Sequence, residues 1–144
     1  MDALALLTTR RSAHTLTEPG PSSAQLERML AAAARVPDHG KLRPWRFLIV
    51  RGEARAALGK VWAESLRRRQ PGLMEEIYAG EAKKASRSPL LIVVACKADA
   101  KHAKIPEIEQ VMSAASACYA LTLAAAAEGF GAMWKTGAAA YDAD

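Results

Sequence analysis

Two arginines and a serine, Arg10, Arg11 and Ser12, directly follow the first helix that the sequence predicts. A guanidinium offers a planar pair of N–H donors that matches phosphate oxygens, and a hydroxyl adds a further donor. Hydrogen bonds of this charge-assisted kind contribute about 1.5–3 kcal/mol each. The tripeptide therefore predicts a phosphate-binding site. The structural alternative is that basic residues favour a helix C-terminus because of its partial negative charge.

A loop rich in glycine and proline runs from Pro37 to Trp45 and carries the cations Lys41 and Arg43. Its glycine lets backbone approach a ligand, and the cations and the indole would surround that ligand with charge and an aromatic face. Arg35 and His39 flank the start of the loop. The alternative is a plain connection between a helix and a strand, with the tryptophan in the core and the histidine as a helix-end partner.

A third segment, Gly129–Gly137, combines glycines with Lys135 and Thr136. The glycines permit a tight reversal between a helix and a strand, and the lysine and threonine predict a second phosphate grip. The segment is neither a P-loop nor a dinucleotide-binding fingerprint, because its glycines follow a helix and precede a strand. Taken alone, this segment is interpreted as structural.

Three consecutive arginines, Arg67, Arg68 and Arg69, raise the alternative of nucleic-acid binding. At about 100° per residue, these arginines with Arg55 and Lys60 spread around their helix rather than along one face. No recognition-helix or RNA-binding motif accompanies them. A solvated helix end is therefore the favoured interpretation.

Composition and charge describe one globular domain. The chain has 144 residues, of which 51% are hydrophobic and 24% charged, and this argues against disorder. A formal charge of +5 allows an anionic partner such as a nucleotide cofactor. No signal peptide is predicted, and Cys96 and Cys118 are interpreted as buried free thiols, which together favour a cytoplasmic protein. The scattered histidines argue against a local zinc site.

Helices are predicted over 3–9, 23–36, 53–69, 74–84 and 106–128, the first two of them from capping residues. The second helix opens with a capping box formed by Ser22 and Gln25, and Gly129 ends the last. The alanine-rich stretch 111–127 lacks the leucine density of a membrane span and is predicted to be a buried helix of a soluble protein.

Strands are predicted over 46–50, 89–96 and 132–134. The run 89–96 is unbroken and apolar, as in a central strand that is buried on both faces. Because helices separate the strands, hairpins are excluded and an α+β or α/β layered sheet is expected. No linker or repeat interrupts the chain, so one domain is predicted over 1–144.

Together the three segments resemble the flavin-dependent nitroreductase family. The family's Arg-Arg-Ser after a short N-terminal helix corresponds to residues 10–12. Its loop of type Pro-Ser-Ser-Gly-Asn-Leu-Gln-Pro-Trp-Arg-Phe corresponds to residues 37–47, and its turn of type Gly-Phe-Gly-x-x-Trp-(Lys/Arg)-(Ser/Thr)-Gly corresponds to residues 129–137. The segments follow the family's order over residues 1–137, and Pro-Asp-His in the loop resembles the branch of small NAD(P)H nitroreductases.

The resemblance implies an α+β fold: a three-layer sandwich with a mixed central sheet flanked by helices, assembled as an intertwined homodimer with FMN at the interface. Residues 10–12 would hold the phosphate and ribityl chain, and residues 134–136 would complete that grip. Arg35 and His39 would be the partner subunit's contribution, and residues 124–129 match a stretch assigned in relatives to NAD(P). The cofactor-binding residues so implied are Arg10, Arg11, Ser12, Arg35, His39, Lys41, Arg43, Ala124, Ala125, Ala126, Ala127, Glu128, Gly129, Trp134, Lys135 and Thr136.

The implied activity is a ping-pong oxidoreductase in which NAD(P)H reduces the flavin and a nitroaromatic, quinone or similar electrophile then accepts the electrons. No side chain need act as a general acid, so no catalytic residue is predicted. A flavin- or nucleotide-binding module without turnover and a nucleic-acid binder are the rival hypotheses.

Two departures from the family pattern bear on this expectation. The family's Asn and Gln, which bond the flavin ring in many members, are replaced by Lys41 and Arg43. A cation near the ring would favour the reduced anionic flavin and raise its potential. Relatives also continue for a few dozen residues beyond the position of Asp144, so a C-terminal strand and arm are expected to be missing.

Overall fold

The structure is a computed structural model that describes residues 2–142. These residues form five helices and two strands: α1 (Ala3–Thr9), α2 (Ser23–Ala33), β1 (Trp45–Arg51), α3 (Ala54–Arg69), α4 (Glu75–Lys83), β2 (Leu90–Cys96) and α5 (Glu107–Ala127). Short 3₁₀ turns lie at His39–Lys41, Lys84–Ser86 and Ala138–Tyr141. The α+β prediction is confirmed, and each of the five predicted helices is present.

The starts of α1 and α2 follow the capping residues in the sequence. The Asp2 carboxylate accepts a hydrogen bond from the Leu4 amide at 2.9 Å and so caps α1. Ser22 and Gln25 form both halves of the predicted capping box on α2. α2 ends at Ala33, earlier than predicted, because its last turn tightens and the amide of Arg35 donates to the carbonyl of Ala32.

β1 and β2 hydrogen-bond to each other as a two-stranded sheet. The amide of Lys97, just after β2, donates to the carbonyl of Pro44, just before β1, at 2.7 Å. The end of one strand therefore lies beside the start of the other, and the pair is antiparallel. The strand predicted at 132–134 is reduced to a single parallel bridge between Ser12 and Ala132.

β2 is only partly buried within residues 2–142, although its unbroken apolar run is typical of a central strand. Val93 is 38% exposed and Cys96 is exposed. An apolar run becomes a fully buried strand only when elements cover both of its faces, and sequence alone does not say which elements do so. Both cysteines are free thiols, but Cys96 is exposed rather than buried as predicted, and Cys118 is partly buried. Desolvation raises the pKa of both thiols.

The described residues fall into two compact units. The first comprises the residues up to His14 together with Pro21–Leu48 and Ile92–Trp134. Here α2 packs on α5, and the alanines of α5 allow a close approach of the two helices. The buried core consists of Met29, Ala33, Trp45, Ala114, Ala117, Leu121 and Ala125.

α5 is the one helix within residues 2–142 whose length and apolar composition match those of a membrane span. In this unit it contributes four buried residues to the core described above. The core helices of soluble proteins show the same length and composition.

The second unit comprises Thr15–Gly20, Ile49–Leu91 and the residues from Lys135 onwards. Its helices α3 and α4 pack together where Gly59 faces the backbone of Ala82. The Tyr78 side chain is 2% exposed, and its hydroxyl donates to the carbonyl of Gln70 at 2.7 Å and accepts from the amide of Leu73. This tyrosine therefore fixes the turn between the two helices.

Candidate functional site

The Arg10–Ser12 segment leaves α1 with its side chains uncommitted. Arg10 is the residue at the helix end, where its amide donates to the carbonyl of Leu6, and its side chain is half-buried. Arg11 and Ser12 are exposed. Among the described residues, neither guanidinium has a carboxylate partner. Both therefore remain available to an anionic ligand.

A backbone contact joins this segment to the third candidate segment. Ser12 forms a parallel bridge with Ala132, and the amide of Ala13 donates to the carbonyl of Ala132 at 3.0 Å. Trp134, two residues further on, is 48% exposed. Segments that are separated by about 120 residues in sequence are thereby brought side by side, which the sequence motifs alone did not establish.

Lys135 and Thr136 continue the chain directly after Trp134 and belong to the second unit. Both residues are exposed. The lysine has no carboxylate partner within the part of the chain that the structure describes. Its ammonium group is therefore free to bind an anion.

Residues 37–44, the site loop, have an unusual backbone conformation. Gly40, Lys41 and Arg43 adopt positive φ angles of 70°, 54° and 49°. For residues with a side chain this conformation is disfavoured, and such strain is concentrated at functional sites. The Asp38 carboxylate stabilises the turn by accepting from the Arg43 amide at 2.7 Å.

The two cations of the site loop lie at its exposed surface. Within residues 2–142 neither Lys41 nor Arg43 forms an ion pair. Two neighbouring positive charges without a counterion favour an anion or an electron-rich ligand nearby. The tryptophan that follows the loop, Trp45, is buried at 8% exposure in the core, as the structural alternative predicted.

Arg35 and His39 differ in how they are used within this chain. Arg35 is exposed just after α2 and has no carboxylate partner among the described residues. The Nδ1 atom of His39 lies 2.6 Å from a carboxylate oxygen of Glu109 on α5. His39 is thus anchored through one ring nitrogen.

The stretch 124–129 forms the end of α5 and its stop. Ala125 is buried in the core, and Gly129 adopts a φ of 85°, which ends the helix. The Glu128 carboxylate accepts two hydrogen bonds from Arg28, at 2.6 and 2.8 Å. These bonds lower the pKa of Glu128 and raise that of Arg28. This carboxylate is therefore engaged within the unit rather than free to bind a ribose hydroxyl.

The Arg28–Glu128 pair predicts a specific acid dependence of stability. Because the folded-state pKa of Glu128 lies below its ordinary value of 4.5, the pair stabilises the fold above that pH. This contribution is lost as the pH falls through the lowered pKa. In urea unfolding, Glu128→Gln is therefore expected to be less stable than the wild type at pH 7, with a difference that shrinks below pH 4.5. Glu27→Gln, at an exposed position of the same helix as Arg28, removes a carboxylate outside this ion pair and is the control.

The three consecutive arginines of α3 are engaged within the second unit. Arg67 forms a bidentate pair with Glu75 and stacks 4.1 Å from the centroid of the Tyr78 ring. Arg68 pairs with Asp142 at 2.9 Å, and Arg69 donates to the Ser65 hydroxyl. These contacts favour a structural role for the cluster.

For the residues described, no group of histidine, cysteine and carboxylate side chains could hold a metal ion.

Comparisons with known proteins match this chain over almost its whole length. The model of the Nitroreductase family matches residues 7–143. The Escherichia coli (strain K12) protein named "Putative NAD(P)H nitroreductase YdjA" is 40% identical over 146 aligned positions, which cover 96% of this chain and 74% of that protein.

Two solved structures have a similar fold. A nitroreductase-like family protein from Bacillus cereus has a TM-score of 0.81 at 25% identity, over 99% of this chain and 74% of that one. A variant of the FMN and NADPH-dependent nitroreductase NfnB from sphigopyxis sp. strain HMH has a TM-score of 0.73 at 20% identity, over 99% of this chain and 78% of that one.

Proposed function

This chain belongs to the nitroreductase family, and from that premise we propose that it is an FMN-dependent oxidoreductase that takes hydride from NAD(P)H. Its acceptors would be nitroaromatics, quinones or similar electrophiles, reduced in a ping-pong sequence in which the nucleotide leaves before the acceptor binds. The bridge between Ser12 and Ala132, beside two unpaired guanidiniums, is the observation that supports this proposal most directly.

The residues present fit the phosphate-bearing end of FMN. Arg10 and Arg11 supply unpaired guanidiniums, and Ser12 supplies an exposed hydroxyl on a segment fixed by backbone hydrogen bonds. In the proposal these three groups bind the phosphate and the ribityl chain. Residues 134–136, which carry an exposed indole, an ammonium group and a hydroxyl, are proposed from the family resemblance as further FMN-binding residues. Donors held before the ligand arrives lose less entropy when it binds.

The flavin ring is assigned to the site loop. Lys41 and Arg43 are exposed on a backbone of positive φ, which is stabilised by the Asp38 carboxylate. Positive charge near the ring favours the reduced anionic flavin. The bound FMN supplies the redox chemistry of the reaction, and the protein supplies orientation and electrostatics.

The proposal includes a cytoplasmic homodimer built from a single domain over residues 1–144. Helix α5 supports the dimer, because its face outside the core carries the large apolar side chains Ile108 and Met112, which are 63% and 61% exposed. Exposed apolar side chains of this size on one helix favour a protein interface. Arg35 and His39 are then the contribution of each subunit to its partner's flavin, and residues 124–129 contribute to the approach of NAD(P)H.

The spectrum of the untreated protein and its reaction with NADH test the proposed activity. The purified chain is expected to carry the visible absorbance of a flavin, to have the mass of a dimer in solution, and to bleach when NADH is added without oxygen. A flavin spectrum without bleaching by either NADH or NADPH would instead support the alternative of a binding module without turnover. A protein that stays colourless after incubation with FMN contradicts both interpretations.

A further inference from the structure

The site loop rests on a side chain from another part of the first unit. A Cβ atom added at Gly40 would lie 2.3 Å from the Cδ1 atom of Ile105, and Ile105 itself is 6% exposed. The isoleucine therefore fills the space directly against the turn at Gly40. Because the interior of a protein is close-packed, a shift of Ile105 changes the support under that turn.

Ile105 ends a second loop, residues 97–105, whose shape depends on the side chain of Gln110. Gln110 is 3% exposed on α5. Its Oε1 atom accepts from the amide of Asp99 at 2.8 Å, and its Nε2 atom donates to the carbonyls of Asp99 and Ile105 at 3.0 and 3.1 Å. One buried amide thus joins the two ends of the segment 99–105.

One further hydrogen bond fixes the position of Ile105. The Nδ1 atom of His102 accepts from the amide of Ile105 at 3.0 Å, within the segment that Gln110 closes. The neighbour of Gln110 on α5, Glu109, pairs with His39 of the site loop. The first turns of α5 therefore hold the site loop at two points, directly at His39 and indirectly at Gly40.

We infer that Gln110 is a positioning residue for the site loop: by fixing Ile105 against Gly40, it holds the turn that carries Lys41 and Arg43 in its binding conformation. This inference rests on the proposed function for its ligand, FMN, and on the hydrogen bonds above for its mechanism. If the conformation that binds FMN is populated less often, the apparent Kd rises by the inverse of that population.

The test uses the full chain with Gln110→Met, which keeps a similar volume but removes the amide. Removal leaves the amide of Asp99 and two carbonyls without their buried partner. We expect the Kd for FMN to rise about tenfold, as the site loop spends about nine-tenths of its time outside the binding conformation. We also expect faster hydrogen exchange at the amides of Lys41 and Arg43, both of which bond to Asp38.

A matched control separates positioning from a general loss of stability. Met29→Ala removes a core side chain from α2, away from this hydrogen-bonded loop, and lowers stability through lost burial without removing any of these hydrogen bonds. At a temperature well below both melting transitions, Met29→Ala should leave the FMN Kd and the exchange of the site loop unchanged. The visible circular dichroism of bound FMN should change only in Gln110→Met.

A double-mutant cycle with Ile105→Ala tests the route. If Gln110 acts through Ile105, the double variant will lose less FMN affinity than the two single losses combined. Additive losses would overturn this route. Unchanged exchange at Lys41 and Arg43 in Gln110→Met would overturn the inference, whether or not the wild type binds FMN. A wild type that binds no FMN contradicts the proposed function alone, because the exchange measurement does not depend on the ligand.

Discussion

Replacing Arg10 and Arg11 together by glutamine is expected to abolish stoichiometric FMN binding. The two guanidiniums have no carboxylate partner among the described residues, so their N–H groups are available to the ligand before it binds. At about 1.5–3 kcal/mol for each charge-assisted bond, losing two corresponds to a Kd increase of roughly a hundredfold or more. Titration followed by flavin fluorescence measures this change.

The control for that experiment removes the same amount of charge elsewhere. Arg51→Gln with Arg87→Gln also lowers the formal charge by two, at exposed positions outside the candidate site. This variant should keep the wild-type Kd for FMN at 0.15 M salt. At that ionic strength the Debye length is about 8 Å, so salt largely screens exposed charges that lie farther than this from the ligand. Full FMN occupancy in the Arg10/Arg11 variant would show that the phosphate assignment is wrong. Equal losses in both variants would indicate a long-range effect of net charge instead.

Gly59→Ala is expected to destabilise the fold, although alanine is the better helix former. A Cβ atom at Gly59 would lie 2.4 Å from the carbonyl oxygen of Ala82, and both groups belong to packed helices. Since backbone cannot move aside cheaply, α3 and α4 must separate. Overpacking of this kind costs about 1–3 kcal/mol, and backbone as the clashing group places this site toward the upper end, beyond the gain of about 0.5–1 kcal/mol from the better helix propensity of alanine. Urea unfolding measures the net loss.

Gly80→Ala is the matched control for this prediction. Gly80 also lies inside a helix, α4, but a Cβ atom there would meet nothing within 4 Å. With no close contact, only the propensity term remains, and the variant should be more stable by about 0.5–1 kcal/mol. If Gly59→Ala were as stable as Gly80→Ala, the close approach of α3 and α4 at Gly59 would not exist in solution.

For the site loop, the sequence motif predicted the basic residues but not the residues that support them. Its glycine, proline and basic residues predicted a ligand-binding loop and placed Lys41 and Arg43 on it. The structure adds that both cations have positive φ and that the amide of Arg43 is held by Asp38. The supporting residues Ile105 and Gln110 were missed, because an isoleucine and a glutamine at the start of an apolar helix carry no motif. The buried amide becomes recognisable only when its three hydrogen bonds are seen.

The family resemblance and the local structure were determined by the sequence itself. Helix starts depend on neighbours within one turn, so Asp2 and the capping box of Ser22 and Gln25 correctly predicted where α1 and α2 begin. The order of the three motifs likewise needs no knowledge of folding, and it led to the family that the comparisons confirm.

Tertiary structure alone decided what meets across long separations in the chain. The bridge between Ser12 and Ala132, and the exposure of Cys96 at the end of an apolar strand, depend on which elements pack beside each other. Apolar composition indicates that a segment favours burial, but it does not name the surface that buries it. For the same reason, the sequence predicted a solvated helix end at Arg67–Arg69 but could not name the partners of these arginines, which are Glu75, Asp142 and Ser65.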